Sequence, residues 1–209
     1  MEQKYMNYKT AETETDIKKS RFLSFIKRTE SEEEAKAFIN EIKKKHKAAT
    51  HNCSAYIVGK SALIQKADDD GEPQGTAGVP ILEVLKKEEL YNVAVVVTRY
   101  FGGIKLGAGG LIRAYSQGAS SAVEAAGKVI EVPMVPLKVT LDYTFTSKFE
   151  HFLGTTDVTI VSQEYTDKVS YLLHIKEEGV DDIVNTLKEI TSNSFEYEAG
   201  DIITAEEKI

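Results

Sequence analysis

The sequence predicts an α+β protein of two domains, residues 1–131 and 132–209, the second a ferredoxin-like unit. Three observations lead there. Apolar residues switch repeatedly between the alternating spacing of strands and the i, i+3, i+4 spacing of helices. A long helical run stops at Gly127 and is followed by residues 132–136, which hold two of the four prolines. Beyond that stop the elements read in the order βαββαβ.

Taken in order, residues 9–17 and 20–27 read as strands joined by a polar turn at Lys18 and Lys19. Phe22, Leu23, Phe25 and Ile26 place apolar groups on both faces of the second, so it is buried. Ser31 with Glu34 three residues on is a capping-box pattern, and Glu32 and Glu33 suit the positive end of a helix. Ala35, Phe38, Ile39 and Ile42 then recur at helical spacing, and Lys43, Lys44, Lys45 and Lys47 close the last turn. Residues 53–58 and 62–66 form a hairpin about the Gly59 turn. A polar loop, 68–75, leads to a helix over 76–87, with Thr76 as its N-cap and Pro80 in its first turn. The valine-rich run 92–98 is a buried strand. A glycine loop, 102–110, opens the helix that Gly127 ends. In the second domain the strands are 137–143, 157–165, 168–175 and 194–202, with helices at 147–153 and 180–190.

Hydrophobic content of 42% and charged content of 28% are ordinary globular values. No apolar run approaches the ~20 residues of a membrane span, and the start carries no apolar leader. A lone cysteine, Cys53, forms no internal disulfide and fits a reducing compartment. These features predict a soluble cytoplasmic protein with no membrane partner. The net charge of −7 is uneven: residues 1–130 carry +3, whereas 131–209 carry −10. An acidic second domain repels a phosphate backbone and offers itself to a protein partner, so any anion site is local and lies in the first.

Two stretches carry the chemistry. Five glycines fall at 102, 103, 107, 109 and 110, just before a helix. Such a helix start offers unpaired N–H groups, and Arg99, Lys105 and Arg113 flank it with cations, an arrangement suited to phosphate. The same loop also suits close packing of a helix on a sheet. It is neither G-x-G-x-x-G nor a P-loop. The second stretch, 68–80, holds Asp68, Asp69, Asp70 and Glu72 within five residues. Pro73 stands where an EF-hand needs glycine, and the run reads as a polar turn rather than a metal site. On a strand, His51 and Cys53 share a face, which invites a thiol–imidazole reading, yet no third orienting group is identifiable. The residues point to no catalytic set, no metal and no cofactor.

The segments KKSRF (18–22), ATHNCSAY (49–56), DDGEPQGTAGVP (69–80) and VVVTRYFGGIKLGAGGLIRAY (95–115) resemble the YigZ/IMPACT family, in the form of its bacterial two-domain members. The resemblance implies a first domain like domain two of small-subunit ribosomal protein five, an α/β sandwich shared with domain four of elongation factor G. It implies a second domain like domain five of that factor. Eukaryotic relatives regulate translation, restraining a starvation-responsive initiation-factor kinase by competing for its activator, and pair this domain with a different N-terminal partner-binding domain that has no counterpart in this sequence. A proline-dipeptidase label carried by bacterial relatives finds no supporting constellation of His and carboxylates. The family's motif positions are His51, Asp69, Gly71, Glu72, Pro73, Gly75, Thr76, Arg99, Tyr100, Gly102, Gly103, Lys105, Gly107, Gly109, Gly110, Arg113 and Tyr115.

The leading expectation is a non-enzymatic protein that binds RNA or the ribosome and regulates translation. Arg99, Lys105 and Arg113 would touch phosphate, the loop glycines would approach it, and Tyr100 or Tyr115 would stack on a base or sugar. The rival is a small-molecule hydrolase or phosphoryl-transfer enzyme whose pocket gathers His51, Asp69, Glu72, Arg99 and Thr76.

Overall fold

The computed structural model describes residues 4–209; the opening residues, where no apolar leader is expected, lie outside them. The chain divides into two compact units, residues 1–130 with 208–209, and residues 131–207.

The first unit is built on a five-stranded antiparallel sheet. Its strands are β2 (Ala11–Ile17), β3 (Ser20–Arg28), β4 (His51–Val58), β5 (Ile64–Asp68) and β6 (Val93–Tyr100), in the order β2-β3-β6-β4-β5. A two-residue strand, β1 (Met6–Asn7), precedes them. The central strand β6 is buried on both sides. Val93, Val95 and Val97 face helices α2 (Gly78–Lys87) and α3 (Ala108–Ala126), and Ala94 and Val96 face α1 (Glu32–Lys45). That explains the unbroken apolar run: a sheet covered on both faces needs no polar alternation. Ser31 caps α1 by accepting the Glu34 N–H at 3.1 Å, and the Glu34 carboxylate reaches back one residue further than a capping box requires, to the Glu30 N–H. Gly127 ends α3 at φ 67°, the left-handed stop the sequence predicts.

The second unit has strands β7 (Lys128–Leu141), β8 (Thr159–Tyr165), β9 (Val169–Ile175) and β10 (Phe195–Ala199) in the antiparallel order β10-β7-β9-β8. This is the ferredoxin-like arrangement. Its core joins Leu137, Val139, Tyr171 and Leu173 on the strands to Phe149 and Leu153 on α4 (Tyr143–Leu153) and to Ile183 and Leu187 on α5 (Val180–Thr191).

Three expectations need correction here. The strand expected at 137–143 begins at Lys128 and runs through both prolines of 132–136, the Pro136 carbonyl accepting from the Gly200 N–H at 2.8 Å. Proline removes a donor, which disqualifies a strand only where that donor is required. Helix α4 begins at Tyr143, four residues before the expected start at 147. The last strand is two: 200–202 separate β10 from β11 (Ile203–Lys208), which also pairs with β7. No helix among the described residues is long and apolar enough to cross a membrane.

Candidate functional site

Register sets the site. In the β4–β6 pairing His51 lies opposite Arg99 and Cys53 opposite Val97, so His51, Cys53 and Arg99 all emerge on the face covered by α2 and α3. The loop between β5 and α2 brings Glu72 over them. Glu72 Oε1 accepts from Arg99 Nη1 at 2.7 Å and from the Tyr115 hydroxyl at 2.8 Å. Arg99 is only 5% exposed and Tyr115 not at all. The guanidinium also donates to Ser20 Oγ at 3.2 Å and lies against the rings of Phe22 and Phe101, 5.6 and 5.3 Å from their centroids. Its Nε, also buried, has no hydrogen-bond partner among the described residues. Burial, with Cys53 and Glu72 alongside, drives the Tyr115 phenol strongly upward, so it stays a donor to the carboxylate.

The acidic run is consumed by the backbone and one lysine. Asp69 Oδ1 accepts from the N–H groups of Ala77 and Gly78, at 3.0 and 2.8 Å, and its Oδ2 from that of Gly75 at 2.7 Å. Asp69 is therefore the cap of α2. Thr76, the residue expected there, instead donates its hydroxyl to the Pro73 carbonyl at 2.6 Å. Lys43 bridges Asp68 and Asp70 at 3.2 and 2.7 Å. Among the described residues no three His, Cys, Asp or Glu side chains gather so as to hold a metal ion. Cys53 is buried and its thiol donates to the Asp69 carbonyl at 3.0 Å rather than meeting His51. Burial pushes the thiol well above its ordinary range, which removes the nucleophile reading.

The glycine loop closes the site from the other side. Gly102 donates to Ser20 Oγ and presses on the Lys18–Lys19 turn so closely that a Cβ there would stand 1.7 Å from the Lys19 carbonyl oxygen. Gly107 takes φ 71° and opens α3 without any side-chain cap, leaving the N–H groups of Ala108, Gly109 and Gly110 as helix-start orphans. Between this loop and the Glu72 loop lies a cleft of about 400 Å³. Its polar lining is Thr50, His51, Glu72, Arg99 and Lys105, and its apolar walls include Pro73, Phe101, Leu106 and Leu111.

The structure thus brings together His51, Glu72, Arg99, Lys105 and Gly107, and leaves Asp69 and Thr76 out of the cleft lining. Arg99 and Tyr115 are buried partners of Glu72, not surface groups for phosphate and base. Tyr100 turns to the opposite face, its hydroxyl 3.0 Å from His46 Nδ1. Lys105 and Arg113 are exposed, with Gly103 and Gly109 beside them. Sequence reasoning missed Phe101, 45% exposed beside the cleft, and the exposed lysine pair at 18 and 19. Phe101 was findable as the one aromatic opening a glycine-rich loop; the lysine pair needed the β3–β6 register.

Together these features define a two-unit α+β protein with a cleft in its first unit lined by His51, Glu72, Arg99 and Lys105. The chain matches the profile of the Impact N-terminal domain over residues 18–123 and that of a domain of unknown function, DUF1949, over 139–194. It is 43% identical over 206 residues to the IMPACT family member YvyE of Bacillus subtilis (strain 168), covering 98% of this chain and 95% of that protein. The family member YigZ of Escherichia coli (strain K12) is 36% identical over 152 residues, 72% of this chain and 74% of that protein. A crystal structure described as that of a hypothetical protein superposes with a TM-score of 0.60 at 30% identity, covering 96% of this chain and 98% of that one. The chain belongs to the IMPACT family.

Proposed function

We propose that this protein binds RNA on the ribosome and acts in the regulation of translation, without chemistry of its own. The observation that carries the reading is the cationic rim around the glycine loop. Lys18, Lys19, Lys105 and Arg113 are all exposed, the lysine pair abuts Gly102, and Arg113 stands on the first turns of α3. None of the four makes an ion pair among the described residues, whereas Lys36, Lys43, Lys86, Arg99 and Lys128 all do. Cations left unpaired beside unsatisfied helix N–H groups suit a phosphate backbone, and the exposed Phe101 offers a stacking surface. A likeness to the Saccharomyces cerevisiae protein IMPACT homolog, 38% identical over 93 residues, agrees with a role in this family but covers only 35% of that protein.

The test is co-sedimentation with ribosomes through sucrose gradients at low and moderate salt. The expected result is salt-sensitive association that a Lys18→Ala/Lys19→Ala/Lys105→Ala/Arg113→Ala variant loses while keeping its thermal unfolding. With a single-stranded RNA, removal of the four cations should flatten the log–log salt slope by about 3, at ~0.7 per phosphate contact. A folded quadruple variant that sediments as the parent does would overturn the reading.

A further inference from the structure

We infer that the cleft of the first unit is a nucleotide pocket selective for guanine. This deepens the RNA reading and rests on it only for where the nucleotide comes from.

The selectivity comes from the floor. The Glu72 side chain is 3% exposed, its Oε1 is taken by Arg99 and Tyr115, and its Oε2 accepts no hydrogen bond among the described residues. As an ion-paired carboxylate it can only accept. Beside it, His51 Nδ1 lies 2.9 Å from the Asp70 carbonyl oxygen. A carbonyl cannot donate, so Nδ1 carries the hydrogen of that tautomer, which leaves Nε2 on the cleft side as an acceptor. Oε2 and Nε2 stand 3.8 Å apart in the lining of the cleft. Two neighbouring acceptors there suit a ligand edge with two adjacent donors.

Guanine has that edge in its N1–H and N2–H₂ groups. Adenine and cytosine set one amino group beside an acceptor nitrogen, and uracil sets one N–H between two carbonyls. Each would turn an acceptor toward Glu72 or His51 and leave polar groups unmet on both sides. A guanidinium or ammonium ligand would also donate twice, but it would face Lys105, Arg99 and the positive start of α3. A neutral edge with an anionic tail fits both ends. The phosphate then lies toward Lys105 and the orphan N–H groups of α3. The base lies against Phe101, whose ring the Arg99 guanidinium holds in place. The volume, about 400 Å³, falls in the ~300–1,000 Å³ range of small-molecule sites.

Two sources share this chemistry, a guanosine within single-stranded RNA and a free guanine nucleotide. Calorimetric titration of the whole chain with GMP, AMP and the tetranucleotides UUGU and UUAU distinguishes them. GMP should bind at least tenfold tighter than AMP. His51→Ala, which spares the Glu72–Arg99 pair, should remove that preference by weakening GMP alone. Lys105→Ala, at an exposed position, should weaken GMP and AMP alike. Selection of UUGU over UUAU without selection among mononucleotides also supports the pocket and assigns it to RNA; the reverse supports it and assigns it to free nucleotide. Equal binding of guanine and adenine in both formats, no binding at all, or a guanine preference untouched in the folded His51→Ala protein would overturn it. Ribosome association that persists beside any of those results leaves the RNA reading standing and removes the pocket alone.

Discussion

Truncation of Glu72 to alanine should destabilise the first unit by about 3–5 kcal/mol, the cost of leaving one member of a buried ion pair alone. The size follows from what remains. Arg99 would keep only Ser20 Oγ as a hydrogen-bond partner, with its Nε already unpaired, and the Tyr115 hydroxyl would lose its acceptor. Hydrogen exchange at the β4 and β6 amides is the measurement, because it reads the first unit without averaging over the second. A Glu72→Leu/Arg99→Met double variant should recover most of the loss, since an apolar pair of similar volume often replaces a buried ion pair at little cost. Protection factors in Glu72→Ala equal to the parent's would show that the pair contributes nothing to the fold.

Loss of the Asp69 carboxylate should come next in size. Asp69→Ala strips the acceptor from three backbone N–H groups at once. The helix cap accounts for up to ~2 kcal/mol and the Gly75 N–H for at least ~1 more. Asp69→Asn should fall between, because an amide keeps one accepting oxygen and points a donor where Gly75 also donates. The loop it organises carries Glu72, whose N–H donates to the Asp69 carbonyl at 2.9 Å, so the cleft should loosen together with α2. Urea unfolding of the three proteins orders them; equal midpoints for parent and Asp69→Ala would contradict the capping role.

What the sequence made legible was periodic. Alternation and helical spacing located β3, α1, β6, α3, β8, β9 and α5 to within a few residues, because each periodicity is a local consequence of burial. The side chains of the site answer to contacts that are not local. Glu72 and Arg99 meet across 27 residues, and Ser20 and Gly102 across 82. Their pairing depends on the order β2-β3-β6-β4-β5, which no spacing announces. Asp69 looked like one more acid in a turn, and only the path of the chain through Gly75 to Gly78 turns it into a cap. Tyr115 was readable in principle: it shares the stripe of Leu111, Ala114, Gly118, Ala119 and Ala122, the face that α3 buries. A hydroxyl on such a face is a hydrogen-bond donor to the core before it is anything else. The prolines hid the first half of β7, because proline's cost depends on which neighbour needs its missing donor.

The burial of the chain's single thiol has a practical consequence. A reagent that alkylates Cys53 must wait for the first unit to open, and the second unit, having no cysteine, stays silent throughout. Under native conditions the alkylation rate is thus a stopwatch for one half of the molecule, running about tenfold faster for every 1.4 kcal/mol that half loses. On that clock the Glu72→Ala protein should be modified between about a hundredfold and a few thousandfold sooner than its parent, and any nucleotide that settles in the cleft should slow it down.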